Sequence, residues 1–277
     1  MPSVRQLRRR IRSVENTAKI TKAMSMIAAS KMRRAQEAAI QGRPYSDNLS
    51  TLLADLAAQP HEEEALHPLI STREVNRVEM VLITPDRGLT GGLNSNLNRV
   101  AGQFIAPYEE RGSVIAVGKK GRDFMTRYGQ NVRAVFTDIS DRPSFTDITP
   151  IARLVIEAYG NEEVDAVHVA CAQFVSTTVQ RPVVTQLLPV VPAMLEARDT
   201  VGYIYEPDTT TVLNELLPRY IETQIYHALL ENIASEQSAR MVAMRNATDN
   251  ANEMKVDLTL VMNKARQESI TTELLDI

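Results

Sequence analysis

Neither glycine nor proline occurs from Ser3 to Gln41, nor over the last fifty-nine residues, Arg219 to Ile277. These are the two residues that interrupt helices, one through backbone entropy and the other through its missing N–H. Without them a single helix can run the length of each stretch, roughly 58 Å and roughly 88 Å at the standard rise. An average globular helix has only about 12 residues. Rods of this length outrun any ordinary domain.

Other absences narrow the chemistry. The chain has no tryptophan, and phenylalanine and tyrosine are missing from residues 1–44. A single cysteine, Cys171, excludes an internal disulfide and a cysteine metal cluster; its alternating apolar surroundings mark it as core filling. The four histidines, His61, His67, His168 and His227, lack metal-ligand spacing, and no elbow motif or other local signal groups Ser, His and Asp. No enzyme centre, metal or cofactor is expected. Met1 to Arg5 leads directly into charge without an apolar leader, and the most apolar later run, Leu187 to Leu195, is cut by Pro189 and Pro192. Neither a secretion signal nor a membrane span is expected.

The net charge of −3 conceals an asymmetry. Residues 1–34 hold ten Lys or Arg against the single acid Glu15, leaving −12 for the remainder. Such a flank expects an anionic surface. Nucleic-acid binding would normally add stacking aromatics, and a lipid-surface helix needs a coherent apolar face, which here tapers into alanine, serine and threonine. Acidic elements of a protein partner fit better. Exposed pairs contribute only ~0.2–1 kcal/mol each, so such contacts guide and can be broken in turn. A static basic scaffold or nucleic-acid adaptor is the alternative, testable by salt-dependent duplex binding.

The rods carry weak heptads. In the N-terminal one, Val4, Ile11, Ala18, Ser25, Met32, Ala39 and Leu7, Val14, Thr21, Ala28, Ala35, Gly42 place small residues beyond about Ala18, allowing close approach of a neighbouring helix. The C-terminal rod is its natural neighbour. There Ile221, Ile225, Ala228, Asn232, Ser235, Ala239, Val242 and Asn246 form a half-polar stripe, while Leu229, Ile233, Met244, Met254, Leu258 and Val261 lie off it. One partner helix would leave apolar area uncovered, so either several partners surround this rod or its exposed patches invite aggregation.

All eleven glycines and most of the prolines fall between Gly42 and Pro207. Gly42-Arg43-Pro44 ends or bends the first helix, with Tyr45 to Ala58 resuming it. Strands are predicted at Val78 to Thr84, Val114 to Val117, Val132 to Phe136, Asp165 to Phe174 and Pro182 to Leu188, with helices at Asn94 to Glu110, Gly121 to Tyr128 and Thr149 to Tyr159. This alternation predicts a mostly parallel α/β sheet with helices on its faces, and Pro182 suggests a sheet edge. Thr209 to Thr211 are candidate caps for the long C-terminal helix. The expected division is residues 1–58, first rod and continuation; 59–75, linker; 76–208, sheet domain; and 209–277, second rod.

The loop Asp86-Arg87-Gly88-Leu89-Thr90-Gly91-Gly92 sits where a doubly wound sheet would hold a nucleotide, yet it matches neither G-x-G-x-x-G nor the G-K-[ST] phosphate loop. It reads as a tight turn that lets the next helix pack near the sheet, with Arg87 ion-paired nearby. Arg266 and Gln267 offer a guanidinium fork followed by an amide, suited to carboxylates or carbonyls. Arg245 stands alone among Met241, Val242, Ala243 and Met244.

Four segments stand out together: Ile11-Arg12-Ser13-Val14-Glu15-Asn16-Thr17-Ala18-Lys19-Ile20-Thr21-Lys22-Ala23-Met24, the central run Asp86 to Asn94, Ser235-Glu236-Gln237-Ser238-Ala239-Arg240-Met241, and Arg266-Gln267 with Ile270-Thr271-Thr272-Glu273-Leu274. In this order they resemble the gamma subunit family of F-type ATP synthases. The likeness spans essentially the whole chain. It implies an antiparallel, left-handed coiled coil of the terminal helices inside an alpha3beta3 hexamer, over a Rossmann-like foot that contacts the epsilon subunit and the membrane c ring. One copy per complex would act as a rotor shaft, coupling ion-driven rotation to ATP synthesis or hydrolysis at beta without itself holding substrate, cofactor or nucleic acid. By resemblance, Arg266 and Gln267, with Thr271 nearby, make the beta-catch contact. Met24, Lys22 and Arg245 lie at the acidic beta lever, and Lys31, Arg33 and Arg34 belong to the basic bearing surface. Asp86, Arg87, Gly88, Gly91 and Gly92 become the foot-domain turn. The expected location is the cytoplasmic face of a bacterial plasma membrane, held there through the complex. The family's apolar tail after Glu273-Leu274-Leu275-Asp276-Ile277 and the plant cysteine-bearing segment are not matched.

Overall fold

The computed structural model describes residues 3–58, 67–191, 206 and 208–275. Two helices dominate it: α1 (Val4–Ala58), 55 residues, and α5 (Thr209–Leu275), 67 residues. At the standard rise they are roughly 83 and 100 Å long. They run antiparallel. Glu15 pairs with Lys255 at 3.5 Å, the Thr21 and Thr248 hydroxyls meet at 2.6 Å, and Ser25 Oγ donates to the Met241 carbonyl at 3.2 Å.

The buried face of α1 comes mainly from the second heptad series, through Leu7, Thr21, Ala28 and Ala35, joined by Ala18 and Ala39 from the first. Small side chains at these positions let the two backbones close on each other. Neither proline ends its helix. Pro44 lies inside α1, so of an end or a bend at Gly42-Arg43-Pro44 the end is excluded and the helix does continue from Tyr45 to Ala58; Pro218 lies inside α5. An interior proline costs about 3 kcal/mol. Burial of Leu49, Leu53 and Leu56 beyond Pro44, and of Leu213, Leu217 and Ile221 around Pro218, offsets it at about 1.5–3 kcal/mol per side chain. The cap of α5 is Asp208 rather than Thr209 to Thr211: its carboxylate accepts from the Thr211 N–H at 2.8 Å and the Thr211 hydroxyl at 2.7 Å.

Between the long helices stand β1 (Val78–Ile83), α2 (Leu93–Ile105), β2 (Gly112–Val117), α3 (Lys119–Arg127), β3 (Asn131–Phe136), α4 (Phe145–Gly160), β4 (Ala166–Phe174) and β5 (Gln180–Leu188). The sheet order is β3-β2-β1-β4-β5. The first four strands are parallel, and β5 adds antiparallel to β4 at the edge that Pro182 suggested. Several boundaries differ from expectation by a residue or two, and the two largest differences have local reasons. Helix α2 stops at Ile105 and gives way to a 3-10 turn, Ala106–Arg111, because Pro107 has no N–H to continue the ladder. Helix α4 begins at Phe145, where the Asp147 carboxylate accepts from the Ser144 N–H at 2.7 Å and the Ser144 hydroxyl at 2.9 Å.

Strand β1 is buried along its whole length. On one face Val81, Ile83, Ile115 and Val169 meet α4 and the lower ends of both long helices; on the other Val78, Met80 and Leu82 meet Leu93, Leu97, Ala101 and Ile105 of α2. Strand β4 extends beyond its last pairing with β1, at Leu82 and Ala170. Helix α5 supplies the missing acceptors: Asn232 Oδ1 takes the Ala172 N–H at 3.2 Å and Glu231 Oε2 the Phe174 N–H at 2.9 Å. These bonds fasten the rod to the sheet.

Candidate functional site

Doubly wound sheets bind ligands in the crevice outside the carboxyl ends of their strands. Here β1, β2 and β3 end at a cavity of about 700 Å³ whose other wall is the rod itself. Met24, Ile27 and Lys31 of α1 and Ile233, Glu236 and Arg240 of α5 face the turn after β1 across it. The helices thus stand where a nucleotide would enter.

The glycine turn works as a structural joint. Asp86 Oδ1 accepts the Lys119 N–H at 2.9 Å and Oδ2 the Asp138 N–H at 2.8 Å, tying β1 to the start of α3 and to the loop after β3. Gly91 has φ +56°, Gly92 caps α2, and the Gly88 carbonyl accepts from Arg240 Nη2 at 3.3 Å. Close approach is sharpest at Gly118, with φ +104°, where a Cβ would lie 1.9 Å from the Thr84 carbonyl oxygen. Arg87 departs from expectation: it is exposed and forms no ion pair among the described residues, although its positive charge helps hold Asp138 below the usual carboxylate range, after the bonds from Lys119 and Thr137.

The electrostatics of this seam are those of internal pairs. Glu236 and Arg240 meet at 2.7 Å with little solvent exposure. Burial pushes the Glu236 carboxyl upward and Arg240 opposes it, while Asp141 and Asp86 push further upward. Lys31 is paired with Asp141. Elsewhere, burial and the Glu231 charge push the Cys171 thiol up to about 12, leaving no thiolate for chemistry near neutral pH. Among the described residues, no cluster of three His, Cys, Asp or Glu side chains is placed to hold a metal ion, and no helix is long and apolar enough to cross a membrane.

Met24 and Lys31 therefore share the seam with Asp86, Arg87 and Gly88. The other candidate residues stand apart from it. Lys22, Arg33, Arg34 and Arg245 are exposed on the rod. Arg245 lies between Met241 and Thr248, which touch Ser25 and Thr21, so it is level with Lys22 and Met24. Arg266, Gln267 and Thr271 are exposed toward the far end of α5, where the Thr271 hydroxyl donates to the Gln267 carbonyl at 2.9 Å. Around them the rod shows uncovered apolar residues: Ile20 and Ile27 on α1, and Met254, Val256, Leu260, Val261 and Ile270 on α5. At 100° per residue Met254 and Val261 share one side, and Val256, Leu260 and Ile270 point roughly opposite. More than one direction is left for partners.

Asp141 is not among the residues singled out by the sequence, where Glu236 and Arg240 stand in one motif but unpaired. Their spacing of four on a helix was a usable signal. Asp141 had none, since its partners lie 110 and 96 positions away.

A sheet whose ligand crevice is walled by its own helices, carrying a rod with apolar residues on opposite sides, has the build of a mechanical or assembly subunit. A family model described as ATP synthase matches residues 3–277. The ATP synthase gamma chain of Dehalococcoides mccartyi is 55% identical over 277 residues, covering all of this chain and 97% of that one; the gamma chain of Herpetosiphon aurantiacus is 50% identical over 286 residues with the same coverage. In structure, a chain of the central stalk and c-ring of Tetrahymena thermophila mitochondrial ATP synthase matches with TM-score 0.65 and 25% identity, covering 82% of this chain and 99% of that one. A chain from the rotor of Euglena gracilis mitochondrial ATP synthase has the same fold, at TM-score 0.65 and 22% identity, covering 96% and 98%. The chain belongs to the ATP synthase gamma chain family, whose members are non-catalytic subunits of that enzyme.

Proposed function

We propose that this chain is the central shaft of a rotary ATP synthase, one copy inside an alpha3beta3 ring, with its sheet domain as a foot on the epsilon subunit and a membrane c ring. The observation that carries the reading is the upper rod. It is held to the rest of the chain by one helix partner, yet it shows apolar side chains to opposite sides. A lopsided rod surrounded by a ring gives each neighbour a different face as it turns. Ion flow turning the foot would then drive the beta sites through their nucleotide affinities in sequence, and hydrolysis would run the rotation backward.

In this reading Arg266, Gln267 and Thr271 engage the beta catch. Met24, Lys22 and Arg245 form a level on the rod facing the acidic beta lever, and Arg33, Arg34 and Lys31 extend the basic surface below it. The division at residues 58, 75 and 208 then separates shaft from foot. The complex would sit at the cytoplasmic face of a bacterial plasma membrane, with this chain peripheral.

Reconstitution with alpha and beta subunits tests the proposal directly. The expected outcome is a ring complex with a single copy of this chain, in which ATP hydrolysis rotates a bead fixed to the foot. An active complex in which the bead stays still rejects it.

A further inference from the structure

Residues 137–144 connect β3 to α4 as a strap across the carboxyl edge of the sheet, beneath the rod. Its polar groups are tied to different elements. The Asp138 N–H donates to Asp86 of the glycine turn at 2.8 Å, and its carboxylate pairs with Lys119 of α3 at 2.8 Å. Asp141 gives one carboxylate oxygen to Lys31 Nζ of α1 and the other to Gln237 Nε2 of α5, at 3.3 Å. The Pro143 carbonyl accepts from the Tyr226 hydroxyl of α5 at 3.2 Å. Asp141 is thus a side chain joined to both long helices and to neither by sequence.

We propose that Asp141 keys the rod to the sheet domain, with the strap carrying load from α1 and α5 through Asp138 and Asp86 to the glycine turn. Lys31, part-exposed on the basic surface, is then also a residue of this internal joint. The mechanical meaning rests on the shaft reading, but the joint is a property of the chain alone. Two features suit the role. The strap forms part of the wall of the 700 Å³ cavity, so it has open space on one side and is held in place by its ties. The Lys31 and Asp141 side chains are 38% and 44% exposed, so the pair is weak enough to exchange and strong enough to bias a local equilibrium.

The test is amide hydrogen exchange on the full-length chain, comparing the parent with Asp141→Asn, with Lys31→Met, and with the exchanged pair Lys31→Asp plus Asp141→Lys. In both single variants the amides of residues 137–142 and 144, that of Asp138 foremost, should exchange about 1.4–5-fold faster, the span expected for a partly exposed ion pair. Helix α2, remote from the joint, should be unchanged, and the exchanged pair should return the strap toward the parent rate. Unaltered strap exchange in both single variants overturns the proposal. So does an equal rise in α2, which would mean general loosening, or a failure of the exchanged pair to recover. Because no alpha or beta subunit is present, these outcomes are independent of whether the assembled complex rotates.

Discussion

The two halves of α5 have similar supplies of large apolar residues and opposite surroundings. From Leu213 to Ile233 the helix buries Leu213, Leu217, Ile221, Ile225, Leu229, Leu230 and Ile233, each at most 6% exposed. Beyond Ala239 only Met244 and Ala251 are buried among the described residues. The lower half has α1, α4 and the sheet around it, whereas the upper half has α1 alone. Exposure there comes from missing neighbours and not from a change in the helix. An apolar surface held open in this way belongs to other chains.

Substitution in the lower half should give the largest effect. Ile225→Ala removes a fully buried side chain and should cost the chain about 2–5 kcal/mol in urea denaturation, whereas Leu260→Ala, 64% exposed at the start, should stay within about 0.5 kcal/mol. Equal losses would erase the contrast. Next comes the joint under the rod: Gly118→Ala forces a positive φ on a residue with a Cβ and drives that Cβ into the Thr84 carbonyl, a cost of at least about 1–3 kcal/mol by the same measurement.

Acid offers a gentler probe of where α5 is anchored. Bonds from the Thr211 backbone and hydroxyl hold Asp208 below the usual carboxylate range. Its stabilising contribution is therefore complete above the unfolded value, about 3.9, and is lost as pH falls through the lower folded value. The parent should lose helix stability on acidification below about pH 4, with a shallower acid limb in Asp208→Asn, as followed by circular dichroism. The smallest effect on the chain itself is expected at the tip. Arg266→Ala with Gln267→Ala should leave denaturation within about 0.5 kcal/mol, yet lower hydrolysis or stall torque in the assembled complex. Full activity and torque would remove both residues from the interface.

Most of the architecture was legible because it depends on local pattern. The missing helix breakers announced the rods, alternating short apolar runs announced the sheet, and Pro182 marked its edge. Pro44 left an end or a bend open because a local cost of about 3 kcal/mol is set against packing that no nearby residue discloses. The pairings of Asp141 at the seam were hidden for the same reason. Asp141 looks like any loop aspartate until α1 and α5 are brought over it. Arg87 failed in the opposite direction, since a charged residue beside a tight turn invites a partner and here faces solvent. The rod-tip residues rest on family resemblance alone, because a lone exposed guanidinium and amide carry no local signature of what they meet.

The hydroxyl contact between Thr21 and Thr248 restricts how the long helices can slide. A slip of one heptad would place Met241 or Lys255 opposite Thr21, exchanging a compact hydrogen-bonding partner for a long side chain where alanines such as Ala18 and Ala28 keep the gap narrow. A two-stranded axle free to telescope would change length under load. This one is pinned to a single alignment.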